Sequence, residues 1–141
     1  MKTALLAAAL LAAPFTAQAA HAPVSAGLVL SDPVGFGGFL SFWPLDALSI
    51  DGVLTHAVAD VGVTGHIPLG ADPAHRLLVG AEVGHVHNAS RSLVGGTHTG
   101  LSVGYGYQTE WDIRLLCGIG GQDAVGWTFG PAFSLLVGRF F

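Results

Sequence analysis

The chain of 141 residues is 51% hydrophobic and only 10% charged, about one residue in seven is glycine, and the formal net charge is −4. An average soluble domain carries roughly 25% charged residues and about 7% glycine, and a disordered chain needs more charge and less hydrophobicity still. One lysine and four arginines cannot assemble a basic patch, so nucleic acid is not an expected partner. The length suits one domain, and the lone Cys117 excludes an internal disulfide.

At the start, Met1-Lys2 is followed by an apolar run from Ala4 to Phe15 and then by Ala17-Gln18-Ala19. A charged start, a short apolar stretch and a small-x-small site form the layout of a secretory signal peptide, here residues 1–19. Its removal leaves residues 20–141 as the exported domain, with Arg76, Arg91, Arg114 and Arg139 as the only permanent cations. That domain holds no apolar run of the 18 or more residues that a membrane helix needs.

From Val24 onward the apolar residues recur at every second position, the period of a strand. Two less regular strands, near 24–30 and 35–43, come first. Leu48, Ile50 and Leu54 then alternate with Ser49, Asp51 and Thr55, and Val61, Val63 and Ile67 alternate with Asp60, Gly62, Thr64 and His66. Leu77, Val79, Ala81 and Val83 alternate with Gly80, Glu82 and Gly84; Leu101, Val103, Tyr105 and Tyr107 alternate with Gly100, Ser102, Gly104 and Gly106. Trp111, Ile113, Leu115 and Cys117 alternate with Asp112, Arg114 and Gly118, and Trp127, Phe129, Phe133, Leu135 and Val137 close the series. Eight strands result. Segments rich in Gly, Pro, Asp, Asn and Ser separate them at 31–33, 44–46, 68–73, 88–96, 108–110 and 118–126. The turn at 55–59 has neither Gly nor Pro and is the weakest boundary, and Pro131 predicts a bulge or local irregularity in the last strand.

The polar face decides which side is wet. A soluble protein fills that face with Lys, Glu and Arg, whereas here it is Gly, Ser, Thr and Ala with a few isolated ionisable residues. Small side chains suit a narrow lumen, and eight strands enclose a bore just wide enough for side chains to fill. Membrane strands of about 9 to 11 residues with short turns also match the length. Aromatic residues gather at opposite strand ends: Phe42, Trp43, Tyr105, Tyr107, Trp111 and Phe141 at one, and Phe36, Trp127 and Phe129 at the other. Two such clusters match interfacial girdles. The expected fold is therefore all-β, an up-and-down antiparallel transmembrane barrel of about eight strands.

The export signal, the alternating strands, the turn Phe42-Trp43-Pro44-Leu45-Asp46 and the closing Val137-Gly138-Arg139-Phe140-Phe141 resemble the small eight-stranded outer-membrane β-barrels of Gram-negative bacteria. The resemblance implies residence in the bacterial outer membrane and contact with its lipids. It also implies passage by periplasmic chaperones to the barrel-assembly machinery, for which Phe141 occupies the place of the C-terminal aromatic signal. The turn from Pro68 to Arg76, on the expected periplasmic side, is long for that group.

By parity the lumen receives Asp51, Asp60, His66, Glu82, His98, Asp112 and Arg114. Four carboxylates then face one arginine, and Arg114 is expected to pair with Glu82 or Asp51, because burying unpaired carboxylates is costly. The expected role is a polar plug in a structural or envelope protein of at most small conductance, with a proton or cation path as the functional alternative. His85 and His87 share a face but lack a third ligand beside them, so no metal or cofactor is expected. His85-Val86-His87-Asn88 resembles in spacing the motif of outer-membrane lipid A deacylases, but His87 stands where a nucleophilic serine belongs and Ser90 is wrongly placed to replace it. A lipid A deacylase-like hydrolase and a periplasmic soluble barrel binding a small apolar ligand are the rival readings. Cys117 faces outward as a small apolar residue. Gly118-Ile119-Gly120-Gly121 lies between two strands without the helix that a phosphate loop requires.

Overall fold

The computed structural model describes residues 24–32, 35–87, 95–123 and 128–141. The signal segment 1–19, Asn88, Ser90 and Trp127 lie outside the described residues. Eight strands follow in order: β1 (Val24–Asp32), β2 (Gly35–Leu45), β3 (Leu48–Thr55), β4 (Val58–Pro68), β5 (His75–Val86), β6 (Gly96–Gln108), β7 (Trp111–Gln122) and β8 (Thr128–Phe140). Each pairs antiparallel with its sequence neighbours, and β1 pairs with β8, so the sheet closes into an up-and-down barrel. Closure removes the edges that an open sheet would present.

Local chemistry sets the turns. Where Gly and Pro are missing between β3 and β4, the Thr55 hydroxyl accepts from the amides of Ala57 (3.2 Å) and Val58 (3.0 Å), so a side chain does the work of a turn residue. In the longer connection 69–74, Asp72 Oδ1 accepts from the Ala74 amide at 2.9 Å, and Gly70 takes a φ of 79°.

Two expectations about irregularity are corrected. Pro131 pairs with Ile119 in an unbroken β7–β8 register, and the β1–β8 register is unshifted through its last described pair, Asp32 with Phe133. The described ladder shows no bulge at Pro131. The shift occurs instead in the β2–β3 register between Phe42 and Leu45, around Pro44. Residues 118–122, expected as loop, extend β7, and Gly118, Ile119, Gly120 and Gly121 are all paired in the ladders.

Side-chain direction separates the two surfaces. Ile50, Val61, Val63, Leu101 and Val103 point outward, between 43% and 69% exposed, and Leu48 is half-buried. Between the strand ends the outward positions carry no charged residue; Asp32, His75, His85 and Arg139 mark the ends. A soluble barrel with an apolar interior would have the opposite sense.

The closing seam has its own packing device. Gly27 of β1 faces Gly138 of β8, and a Cβ on Gly138 would stand 2.5 Å from the Ala26 carbonyl oxygen and 2.6 Å from Phe39 Cζ. The Phe39 ring, 5% exposed, thus lies over a glycine pair where any side chain would push the strands apart. Gly138→Leu is expected to destabilise the barrel by about 1 to 3 kcal/mol, the usual cost of overpacking. A lowered urea midpoint for the compact form checks this.

Candidate functional site

The lumen is divided along its length. Toward the end where β1 begins and β8 finishes, Arg114 is the centre of a buried polar cluster and is itself 1% exposed. Its Nε and Nη2 donate to the two oxygens of Asp112 at 2.8 and 2.6 Å, and its Nη1 donates to Asp51 Oδ1 at 2.8 Å. Nη2 also reaches Ser41 Oγ at 2.9 Å. The guanidinium lies over Trp43 (5.1 Å to the ring centroid) and Phe39 (5.7 Å), so both its edge and its face are used.

The carboxylates are held from their other sides. Ser25 Oγ donates to Asp112 Oδ2 (2.7 Å), while Thr64 Oγ1 (2.6 Å) and Ser49 Oγ (3.0 Å) donate to Asp51 Oδ2. His66 bridges Ser49 Oγ through Nε2 and Gln108 Nε2 through Nδ1, each at 2.9 Å. With the Ser49 proton given to Asp51, the consistent arrangement puts the imidazole proton on Nε2 and leaves Nδ1 to accept from the Gln108 amide. Strands β1, β2, β3, β4, β6 and β7 all contribute.

The structure places the sequence-derived lumen residues inside, but not all in one group. Arg114 pairs with Asp51, as one of the two expected options. Its other partner is Asp112, two residues away on the same face, rather than Glu82. Glu82, Asp60 and His98 form a separate cluster toward the opposite end, with His98 Nδ1 3.2 Å from Asp60 Oδ1. Between the two groups lies a cavity of about 50 Å³, bordered by Asp51, Asp60, Glu82, Ser102 and Arg114, with Val29 and Leu136 on its apolar side. It has room for a few waters.

Trp43 does not belong to the girdle. It is 7% exposed, donates its indole N–H to Ser25 Oγ at 3.2 Å and stacks near His66 with centroids 4.2 Å apart. Parity required this, because Phe42 already points outward. Sequence reasoning also missed Arg76, a second buried arginine, whose Nε donates to the Pro73 carbonyl at 2.7 Å. The polar face is not uniformly small either: Val29, Phe39 and Leu136 form an inward apolar cluster with Val53 and Leu116.

Phe42, Tyr105, Tyr107, Trp111 and Phe141 are exposed at the end where β1 begins and β8 finishes, and Phe129 lies at the other. His75 joins Tyr105 by a hydrogen bond between Nδ1 and the phenol and packs near Tyr107, with Asp72 3.5 Å from its Nε2. The Phe141 amide donates to the Val24 carbonyl at 2.9 Å, so the last residue continues the seam. His85 and His87 are exposed at the outer end of β5, and no side-chain hydrogen bond ties either to a described residue.

No protein-family model matches the chain, and no curated protein matches it. Among solved structures, the fold is similar to the N-terminal β-barrel domain of Pseudomonas aeruginosa OprF, with a TM-score of 0.60, 13% identity, and coverage of 86% of this chain and 99% of that one. The class is thereby defined at the level of fold, an eight-stranded closed antiparallel barrel.

Removing Arg114 would leave Asp51 and Asp112 buried without a counter-charge. Arg114→Ala is expected to destabilise the barrel by about 3 to 5 kcal/mol, read as a shift in the urea midpoint. The triple change Arg114→Met, Asp51→Asn and Asp112→Asn is expected to recover most of that loss. Equal damage in both variants would contradict a charge-compensation role.

Proposed function

We propose that the protein is an integral β-barrel of the bacterial outer membrane with a structural, envelope-supporting role, exported by the segment 1–19 and plugged by its own side chains. The observation that carries this reading is the outer surface: apolar side chains exposed on all eight strands, with charges only at strand ends. In water such a surface far exceeds the apolar patches that a monomer tolerates. In a bilayer it is the expected outer band, with exposed Trp and Tyr at the interface. The fold shared with the OprF barrel domain supports the same reading. Outer-membrane lipids are then the main partner. The periplasmic chaperones and the barrel-assembly machinery act during biogenesis, with Phe141 as the recognised terminus.

A non-conducting or weakly conducting barrel follows from the Arg114 cluster, whose members reach across the bore. The expected results are recovery in the outer-membrane fraction, compact migration of unboiled protein on a detergent gel, and at most small steps in planar bilayers. Extraction into plain buffer without detergent would refute the membrane assignment, and large open-pore currents would refute the plug.

A further inference from the structure

We infer that Asp60, Glu82 and His98 form a binding site for one divalent transition-metal ion inside the barrel, of the Zn²⁺ class, completed by water from the adjoining cavity. The three residues come from consecutive strands β4, β5 and β6, and one donor atom of each lies within 4.8 Å of the others. Ligands around an ion at 2.0–2.2 Å stand roughly 3 to 4 Å apart. The 3.2 Å between His98 Nδ1 and Asp60 Oδ1 is already such a spacing, so an ion there would take the place of the shared proton.

Three independent features favour a ligand. The first is space. In the register Gly84 lies between Asp60 and His98, and Gly62 and Gly100 flank Glu82. A Cβ on Gly100 would stand 2.5 Å from Glu82 Oε1, and one on Gly120 would stand 3.1 Å from His98 Nε2. The second is an open side. Glu82 is exposed into the bore and borders the cavity, with no hydrogen bond from a described residue to its carboxylate, while Asp60 and His98 are buried beside it. The third is charge. Arg114 is committed to Asp51 and Asp112, and Arg76 to the Pro73 carbonyl, which leaves His98, among the described residues, as the near cationic partner for two carboxylates. An imidazole with two carboxylates suits Zn²⁺ and its neighbours rather than Ca²⁺, which takes six to eight oxygens. The site depends on the closed barrel alone and not on the envelope role.

The test uses the barrel of residues 20–141, folded in detergent micelles, freed of metal and titrated with Zn²⁺ alone against a chromophoric chelator. One Zn²⁺ per barrel is expected, with a Zn²⁺-dependent rise in the urea midpoint and none with Ca²⁺. Glu82→Gln and His98→Asn are each expected to weaken binding at least tenfold. Gly100→Ala, which keeps all three ligands but fills the space beside Glu82, should weaken it too. The double variant His85→Asn/His87→Asn, changed only at the exposed strand end, should bind as the parent does. Compact gel migration first confirms that each variant is folded, and if His98→Asn is not, the near-isosteric Glu82→Gln decides. The proposal is overturned by no binding to the parent, by binding unchanged in folded Glu82→Gln, by an equal response to Ca²⁺, or by loss in the His85/His87 variant. Any of these leaves Asp60 and His98 as a simple hydrogen-bonded pair.

Discussion

Pairing of β1 with β8 is the contact on which the rest of this molecule depends. It gives every strand two neighbours, so backbone donors and acceptors along the wall are met by other strands rather than by solvent. Only a wall of that kind can be apolar on its whole outer surface, because no edge remains to be hydrated. The number of strands then sets the bore, and at eight the interior belongs to side chains. The seam itself narrows the choice of residues: Gly27 and Gly138 meet there without side chains, and the ring of Phe39 covers them.

With the wall closed, the lumen becomes the only place for the charges of the strand interiors. They are distributed unevenly. One group is compact, with the planar Arg114 donating along two edges to Asp112 and Asp51 and lying over the faces of Trp43 and Phe39. The other, Asp60, Glu82 and His98, is looser and borders open volume. Apolar residues of β1, β2 and β8 line part of the opposite wall, so the interior has a greasy side and a polar side as well as two ends. Side chains of neighbouring strands lie in rows about 5 Å apart, and several large inward groups have a glycine beside them in the register: Phe39 has Gly27, Glu82 has Gly100 and Arg114 has Gly106.

Most of the wall was legible from the sequence, because period-two alternation is a direct consequence of strand geometry and does not depend on which strand pairs with which. The expected inward set of Asp51, Asp60, His66, Glu82, His98, Asp112 and Arg114 follows from parity alone. What parity does not carry is depth and partner. Asp112 lies two residues from Arg114 on one face and is its closest partner, yet opposite charge at mid-barrel points to Glu82 or Asp51, of which only Asp51 pairs with it while Glu82 lies beside Asp60 and His98. Trp43 was misread because adjacent aromatics at a strand end both look like girdle residues, although only one of two neighbours can face outward. The prolines reversed expectation for a related reason. Pro131 is passed by an unshifted β7–β8 register, and Pro44 falls inside a β2–β3 register that must shift to pass it. Such facts belong to the neighbouring strand and are absent from the local sequence.

The polar cluster has a consequence in time. Seven of the eight pairings join strands consecutive in the chain, and only β1 with β8 joins its ends. Apart from the two that Arg114 donates to Asp112, the hydrogen bonds around Arg114 are long-range: Ser25 to Asp112 spans 87 residues, Arg114 to Ser41 spans 73, and Arg114 to Asp51 spans 63. They assemble only when distant hairpins have met, after the local pairings have formed. Interactions made late in folding slow unfolding more than they speed assembly. The cluster that fills the bore is thus also a kinetic lock, and the barrel it closes persists through the slowness of its opening as well as through its stability.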